Sequence, residues 1–458
     1  MGATNSRVEE LSKNEHLNRL VSKEILTPGD PFWNSFLSFN FSQPKSDEQW
    51  KTFEQNIEEL QKRFLISNLK TGNFVSLLRV FLLRHSELKD SVLSENSLFI
   101  WQTCNALFII RAVVKFMVER IKEEDVVSQF HVREGEEEEE APVSMLSTLL
   151  SSLVELLVET PLQPQSYHLH VEATRLMTVL LSSVLYCPGR PAHQLSVWRE
   201  MMSGPPSVMV APLTCVLLQR YCDQTPEPEV GGSIVLGLAS SMWSILTLGY
   251  GSGDVNTDGE KILADISLSL LLLLTNHCTD TSAFRNPFRE ALFSFANACE
   301  KTLDTEAHFR LEYPGLFQCL ATTLHSEEAT LLLYLLLHRN NKFRSYVLAG
   351  SEIELLVIPI LQTLYTCTVS AEEASNHHIY MSLIILLIAS EEDLFNQTVH
   401  SSILKYVQYL GLDRFNYLWF RSQQVQWYTE RAVTQLSLGG LLILVVIRQE
   451  QMCYQTVL

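Results

Sequence analysis

The sequence predicts an all-α protein built from stacked layers of helices, and three observations carry that prediction. Five uncharged runs, at 96–110, 266–279, 355–371, 374–390 and 432–447, are 15, 14, 17, 17 and 16 residues long. Helices that are apolar all round hide their surface only against one another, which stacked layers achieve. Helix start signals recur along the chain, while strand-like alternation is scarce. A helix, turn, helix layout near residue 332 returns about 51 residues later.

Composition limits the function classes. The 458 residues are 46% hydrophobic and 19% charged, which suits a large core rather than a disordered chain. The net charge of -18 repels phosphate backbones and anionic head groups, so nucleic acid is excluded as an expected partner. Nine cysteines, at 104, 187, 215, 222, 278, 299, 319, 367 and 453, form no CxxC pair and are odd in number. That usage fits a reducing compartment and a cytosolic protein.

The amino-terminal segment, residues 1–45, opens MGATNSRVEEL, which lacks the apolar core of a secretory signal. It matches M-G-x-x-x-[ST], with Gly2 as the acceptor and Ser6 at the favoured position, the pattern for N-myristoylation. One such chain gives an association constant on the order of 10⁴ per molar, so stable attachment needs a second signal or a protein partner. None is evident nearby, because Arg7, Lys13, Arg19 and Lys23 are nearly balanced by Glu9, Glu10 and Glu15. Asp30-Pro31 then opens PFWNSFLSF with an N-cap and a first-turn proline.

Residues 46–133 read as amino-terminal helical layers, and Ser46 with Gln49 has capping-box spacing. EGEEEEE and Pro142 mark 134–142 as a solvated acidic loop, with docking of a basic partner as the functional alternative. Residues 143–448 read as the main helical stack, with loops at 223–232 and 249–260. Asn286-Pro287 repeats the N-cap and proline signal, and Ser351 with Glu354 and Ser390 with Asp393 repeat the capping-box spacing.

A membrane span needs roughly 20 apolar residues. Every one of the five uncharged runs is shorter, and 355–371 also holds Pro359. The 24 uncharged residues of 230–253 include six glycines, and their apolar centre, 234–248, is 15 residues long. An integral membrane protein anchored through 234–248 is therefore the alternative to a soluble stack.

Residues 326–365 give the repeat its detail. An apolar helix ends at His338, Asn340 and Asn341 turn, a second helix carries Phe343, Tyr346 and Val347, Gly350 stops it, and Ile353 begins another apolar helix. The order resembles an armadillo repeat. LIILLIASEEDLFNQTV from 383 aligns with LLYLLLHRNNKFRSYV from 332, core on core and turn on turn, at a spacing longer than the roughly 40–47 residues of HEAT or armadillo units. The fold class is thus an armadillo/HEAT-like α-solenoid.

No catalytic motif is present: GxxxxGK[ST], GxSxG and HExxH are absent, and GYGSGD lacks the strand and helix that a phosphate loop requires. His377 and His378 are about 100° apart on a helix and do not converge on one ion. His168 and His170 have no acidic partner at ligand spacing. All four read as helix-terminal or surface imidazoles rather than zinc ligands. The expectation is no enzyme, no metal, no cofactor and no small-molecule substrate.

DPFWNSFLSF, TGNFVSLLRVFLLR, FIWQTCNALFII, NPFREAL, the 329–365 stretch, NHHIYMSLIILLIASEEDLFN and WYTERAVTQLSLGGLLILVVIR together resemble the dymeclin family of Golgi-organising proteins. The resemblance implies a peripheral protein without catalytic activity that exchanges between cytoplasm and the cytosolic face of the Golgi membrane. It further implies support of Golgi organisation and vesicle traffic, partners in the trafficking machinery, and a myristoyl group on Gly2. A generic cytosolic armadillo-type binding scaffold is the other alternative. Two stretches depart from the family pattern: YVQYLGLDRFNYLWFRSQQVQ at 406–426, and the tail at 449–458. These lead to the expectation of a truncated isoform or an imperfect gene model around 406–426 and after Arg448.

Overall fold

The computed structural model describes residues 5–6, 14–38, 40–41, 47–131, 144–228, 261–278, 284–300, 307–350, 352–369, 376–404, 436–443 and 445–446. Gly2, Ser46, the acidic stretch 134–142, the apolar centre 234–248, Ser351, residues 406–426 and the tail 449–458 lie outside the described residues. The described part is mostly helical, as predicted, and divides into two compact units, Met1–Glu290 and Ala291–Leu458.

The first unit begins with β1 (Asn5–Ser6), α1 (Glu15–Leu20), α2 (Phe32–Phe36) and β2 (Asn40–Phe41), the two short strands pairing in parallel. Then follow α3 (Asp47–Thr71), α4 (Asn73–Leu93), α5 (Ser97–Arg120), α6 (Glu123–Ser128), α7 (Met145–Glu159) and α8 (Tyr167–Leu181). α9 (Ser196–Ser203), α10 (Val210–Asp223) and α11 (Ile262–Asn276) complete the series, and α12 (Pro287–Ser294) begins in the first unit and ends in the second. Asp30 caps α2 as the sequence predicts, its Oδ1 accepting from Phe32 N at 2.7 Å. Asn286 does the same for α12, accepting from Phe288 N at 2.9 Å, while its Nδ2 donates to the last carbonyls around α11, Leu274 O and Cys278 O.

The TGNF stretch has a concrete reason. A single residue, Gly72, joins α3 to α4 with φ +67°, a left-handed conformation that glycine adopts at little cost. The fully buried Asn73 beside it accepts from Leu26 N at 2.9 Å and donates to Leu20 O at 3.1 Å and Glu24 O at 2.9 Å. Asn105 of α5 likewise donates to Leu37 O at 2.8 Å. Buried amides thus hold the α1–α2 segment onto α4 and α5, satisfying carbonyls that no helix would reach.

α5 lies against α4 on one side and α8 on another, and α8 in turn meets α7 and α11. Leu107, Ile110, Val114 and Met117 form its fully buried stripe at spacings of three and four. Each such side chain contributes about 1.5–3 kcal/mol by leaving water. The 15-residue uncharged run ends at Ile110, but the helix continues to Arg120 and is 24 residues long. The expectation that every apolar segment is too short to span is therefore corrected. Among the described residues α5 is long and apolar enough to cross a membrane by length and composition, and two bent helix pairs qualify only if each is taken as one span.

The second unit holds the parallel pair β3 (Ala296–Asn297) and β4 (Arg310–Leu311), then α13 (Tyr313–Thr323), α14 (Glu327–Arg339), α15 (Asn341–Ala349), α16 (Glu354–Val369), α17 (Asn376–Ser390) and α18 (Asp393–Ser401). β5 (Ile403–Leu404) and β6 (Leu436–Ser437) pair antiparallel. The predicted turn is met to within one residue: α14 runs to Arg339 rather than His338, Asn341 already opens α15, and α16 begins at Glu354 rather than Ile353. Asn340 Oδ1 accepts from Phe343 N at 3.0 Å, capping α15, and Gly350 ends that helix. The long α14 packs on the long α17, and the short α15 on the short α18, so the two halves of the recurring layout stack like on like. Ser390 differs from its predicted role. It is the last residue of α17, its hydroxyl donates back to Leu387 O at 2.8 Å, and Glu392 precedes α18 without a side-chain cap.

Asn340 does more than cap. Its Nδ2 donates to Phe295 O at 3.2 Å, a carbonyl that also accepts from the Tyr313 hydroxyl at 3.0 Å. Phe295, Phe309, Tyr313 and Phe343 close around it, with ring centroids 5.1–5.5 Å apart. Asn340→Ala removes a cap and strips one donor from a buried carbonyl, and is expected to cost about 1–3 kcal/mol, read as a lower urea midpoint with an unchanged slope.

Candidate functional site

The most polar part of the interior centres on α8, whose sequence YHLHVEATRLMTVLL is buried along nearly its whole length. Glu172 on α8 accepts from Arg111 on α5 through both carboxylate oxygens, at 2.8 Å from Nε and 3.2 Å from Nη2. The two side chains are 5% and 3% exposed, so this pair is charged chemistry sealed inside an apolar interface. The Arg111 guanidinium also lies 5.6 Å from the Phe108 ring centroid. Burial raises the neighbouring Cys104 thiol well above its ordinary range, and the Glu172 charge adds to this, leaving the thiol protonated and unreactive.

The histidines of α8 lie in its first turn, as the helix-terminal expectation has it, but both are buried, so the surface alternative is corrected. His170 is fully buried, and Arg220 of α10 donates from Nη2 to its Nδ1 at 2.7 Å. A guanidinium only donates, so Nδ1 is the acceptor and the ring proton sits on Nε2, 3.5 Å from Pro161 O. Arg220 Nη2 also donates to Leu157 O of α7 at 2.7 Å, and burial pulls its pKa down to about 10. Burial first, then the Arg220 charge, holds His170 well below the usual imidazole range.

His168 points the other way, its Nε2 3.7 Å from Glu227 Oε1. Burial and the Arg175 charge nonetheless bring it down to about 4, so the contact joins a carboxylate to a neutral ring rather than an ion pair. Tyr167 accepts from Leu263 N at 3.2 Å, satisfying an orphan amide at the start of α11, and burial pushes its phenol up to about 12. Together Arg111, Glu172, His170, Arg220 and Tyr167 tie α5, α7, α8, α10 and α11 to one register.

In the second unit the adjacent histidines diverge as argued from helix geometry. Both sit at the start of α17, as expected of helix-terminal imidazoles; His377 is exposed, whereas His378 is buried, with its Nε2 2.9 Å from Thr330 Oγ1 across the α14–α17 contact. Among the described residues no group of three or more His, Cys, Asp or Glu could hold a metal ion. A cavity of about 20 Å³ beside α6, lined by Val118, Ile121, Val126, Phe130, Leu180 and Val197, is apolar and water-sized. Glu123 at its edge accepts from Ser196 N at 2.8 Å and so caps α9. Sequence reading missed the α8 network, although one signal for it exists: Arg111 set among apolar residues of α5 and Glu172, the one acid of α8, need each other.

An all-helical protein whose buried polar groups are used for its own register is the class this geometry defines. Residues 1–456 match the family model described as Dymeclin: Dyggve-Melchior-Clausen syndrome protein, and the chain belongs to the dymeclin family. It is similar to the protein named Dymeclin in Xenopus laevis and in Mus musculus, 37% identical in each case across 98% of this chain. The Drosophila melanogaster protein of that name is 34% identical, also across 98% of this chain. The chain spans 67% of the length of the two vertebrate relatives and 68% of the fly one. No solved structure matches it.

Glu172→Ala leaves a buried, uncompensated guanidinium and is expected to destabilise the first unit by about 3–5 kcal/mol in denaturant melts. Arg111→Met with Glu172→Leu should recover most of that loss. His168 sits at about 4 folded against an ordinary value of 6.5, so between those limits the unfolded chain takes a proton that the folded chain refuses. Stability therefore falls as pH drops through that window, by up to about 1.4 kcal/mol per unit for this one group. Thermal midpoints recorded from neutral pH downward should flatten in His168→Gln.

Proposed function

We propose that this chain is a non-catalytic scaffold or adaptor of armadillo/HEAT-like α-solenoid construction, attached reversibly to the cytosolic face of the Golgi through a myristoyl group on Gly2. In this reading it distributes between cytoplasm and Golgi membrane, supports Golgi organisation and vesicle traffic, and takes its partners from the trafficking machinery. It uses no cofactor, nucleic acid or small-molecule substrate. The observation that carries the solenoid reading is the like-on-like stacking of α14 with α17 and α15 with α18, which is how repeat units bury faces that one unit alone leaves open. Family membership supports the Golgi role, and the MGATNS start with Gly2 and Ser6 supports the acylation.

An integral membrane protein is the second reading, favoured by the length and composition of α5. Against it, α4 and α8 cover that helix, and its Arg111 is neutralised from inside the protein by Glu172. Alkaline carbonate separates the two readings, since it releases a peripheral protein and leaves an integral one in the pellet. Gly2→Ala is expected to move the protein from Golgi membrane to cytosol in cell fractionation and imaging. An unchanged distribution overturns the lipid step and leaves a generic cytosolic scaffold.

A further inference from the structure

The carboxyl-terminal half of α3 presents a face unlike the rest of this acidic chain. Lys62, Arg63, Ile66, Leu69 and Lys70 are all exposed there, and at 100° per residue they fall within an arc of about 120°. Ile66 is 77% exposed and Leu69 62%. From Leu60 to Thr71 the chain carries three cations and no acid. Several other exposed apolar side chains keep acidic company: Leu93 lies between Asp90 and Glu95, and Leu387 and Leu394 flank Glu391, Glu392 and Asp393.

The opposite side of α3 is fixed. Phe64 is buried, Gln61 donates to Ala112 O of α5 at 3.0 Å, and Asn68 donates to Gln129 Oε1 at 2.7 Å. The exposed face is therefore held rigidly outward, with no need to order it on contact. Arg63 Nη1 donates to Asn18 Oδ1 at 3.1 Å, tying the face to α1. Gly2 precedes β1 by three residues, which reach roughly 10 Å when extended, and β1 pairs with β2 of the same unit. Lys62 is engaged by Glu58 at 2.8 Å, an exposed pair that exchanges readily for another anion.

We propose that this α3 face is a second membrane contact, seating on an anionic lipid surface with Ile66 and Leu69 at the head-group boundary and Lys62, Arg63 and Lys70 against lipid phosphates. The proposal rests on the acylated, peripheral reading above and supplies the second signal that one acyl chain requires. A net charge of -18 repels such a surface as a whole, so only a locally cationic face can approach it.

The test floats the 458-residue chain, acylated and as Gly2→Ala, with vesicles of neutral phosphatidylcholine or of phosphatidylcholine with phosphatidylserine. Ile66→Ser with Leu69→Ser is expected to weaken binding to anionic vesicles about tenfold in the acylated chain, at an unchanged melting temperature. Lys62→Gln with Lys70→Gln should weaken it by about fivefold per cation, on anionic vesicles alone and less at high salt. Acylated wild type and both variants binding alike overturns the proposal, including the case in which the face serves an acidic protein instead. Failure of the acylation reading registers separately, as Gly2→Ala binding like wild type while the α3 variants still lose.

Discussion

Helices α5 and α8 can meet in one register because their interface encloses a guanidinium and a carboxylate. Sliding either helix by a turn would move Arg111 some 5.4 Å from Glu172 and leave two charges in an apolar contact. A purely aliphatic interface carries no such penalty, since one leucine ridge resembles the next. α7, α10 and α11 take their positions from the same helix, through Arg220 on Leu157 O and His170, and through Tyr167 on Leu263 N. The buried polar groups thus add little to net stability but decide which arrangement of many leucine-rich helices is the native one.

The second unit solves the same problem with uncharged groups. Asn340 caps α15 and donates to Phe295 O, so the turn between two helices and the aromatic cluster beside it are set by one amide. Thr330 and His378 then link α14 to α17 near their amino-terminal ends. A neutral imidazole fits there, since burial lowers the pKa of His378.

How far the sequence could be read follows from the range of each interaction. The capping bonds of Asp30, Asn286 and Asn340 and the stop at Gly350 act within four residues along the chain, and those roles were legible as helix boundaries. Ser390 shows the limit of that logic: its spacing to Asp393 matches a capping box, yet the apolar run carries the preceding helix through it. Arg111 and Glu172 are 61 residues apart, and His170 and Arg220 are 50 apart, so no local pattern foretells that they are buried together. The same pairing explains α5, where a charge that seemed to end an apolar segment lies inside the helix because its partner comes from elsewhere. Of the site residues, the histidines could be read as non-converging but not as interior, and Gly2 could be read only as a motif.

The amide clasps around the α1–α2 segment have a mechanical consequence. Tension applied at the amino terminus would arrive first at the β1–β2 pair, and next at Asn18, bonded to Arg63, and at Leu20 O and Glu24 O, both held by Asn73. Those bonds act side by side and lead straight into α3 and α4, so a tether at that end would pull on the body of the protein instead of peeling its first helices away. Such a load path suits the amino-terminal attachment proposed above.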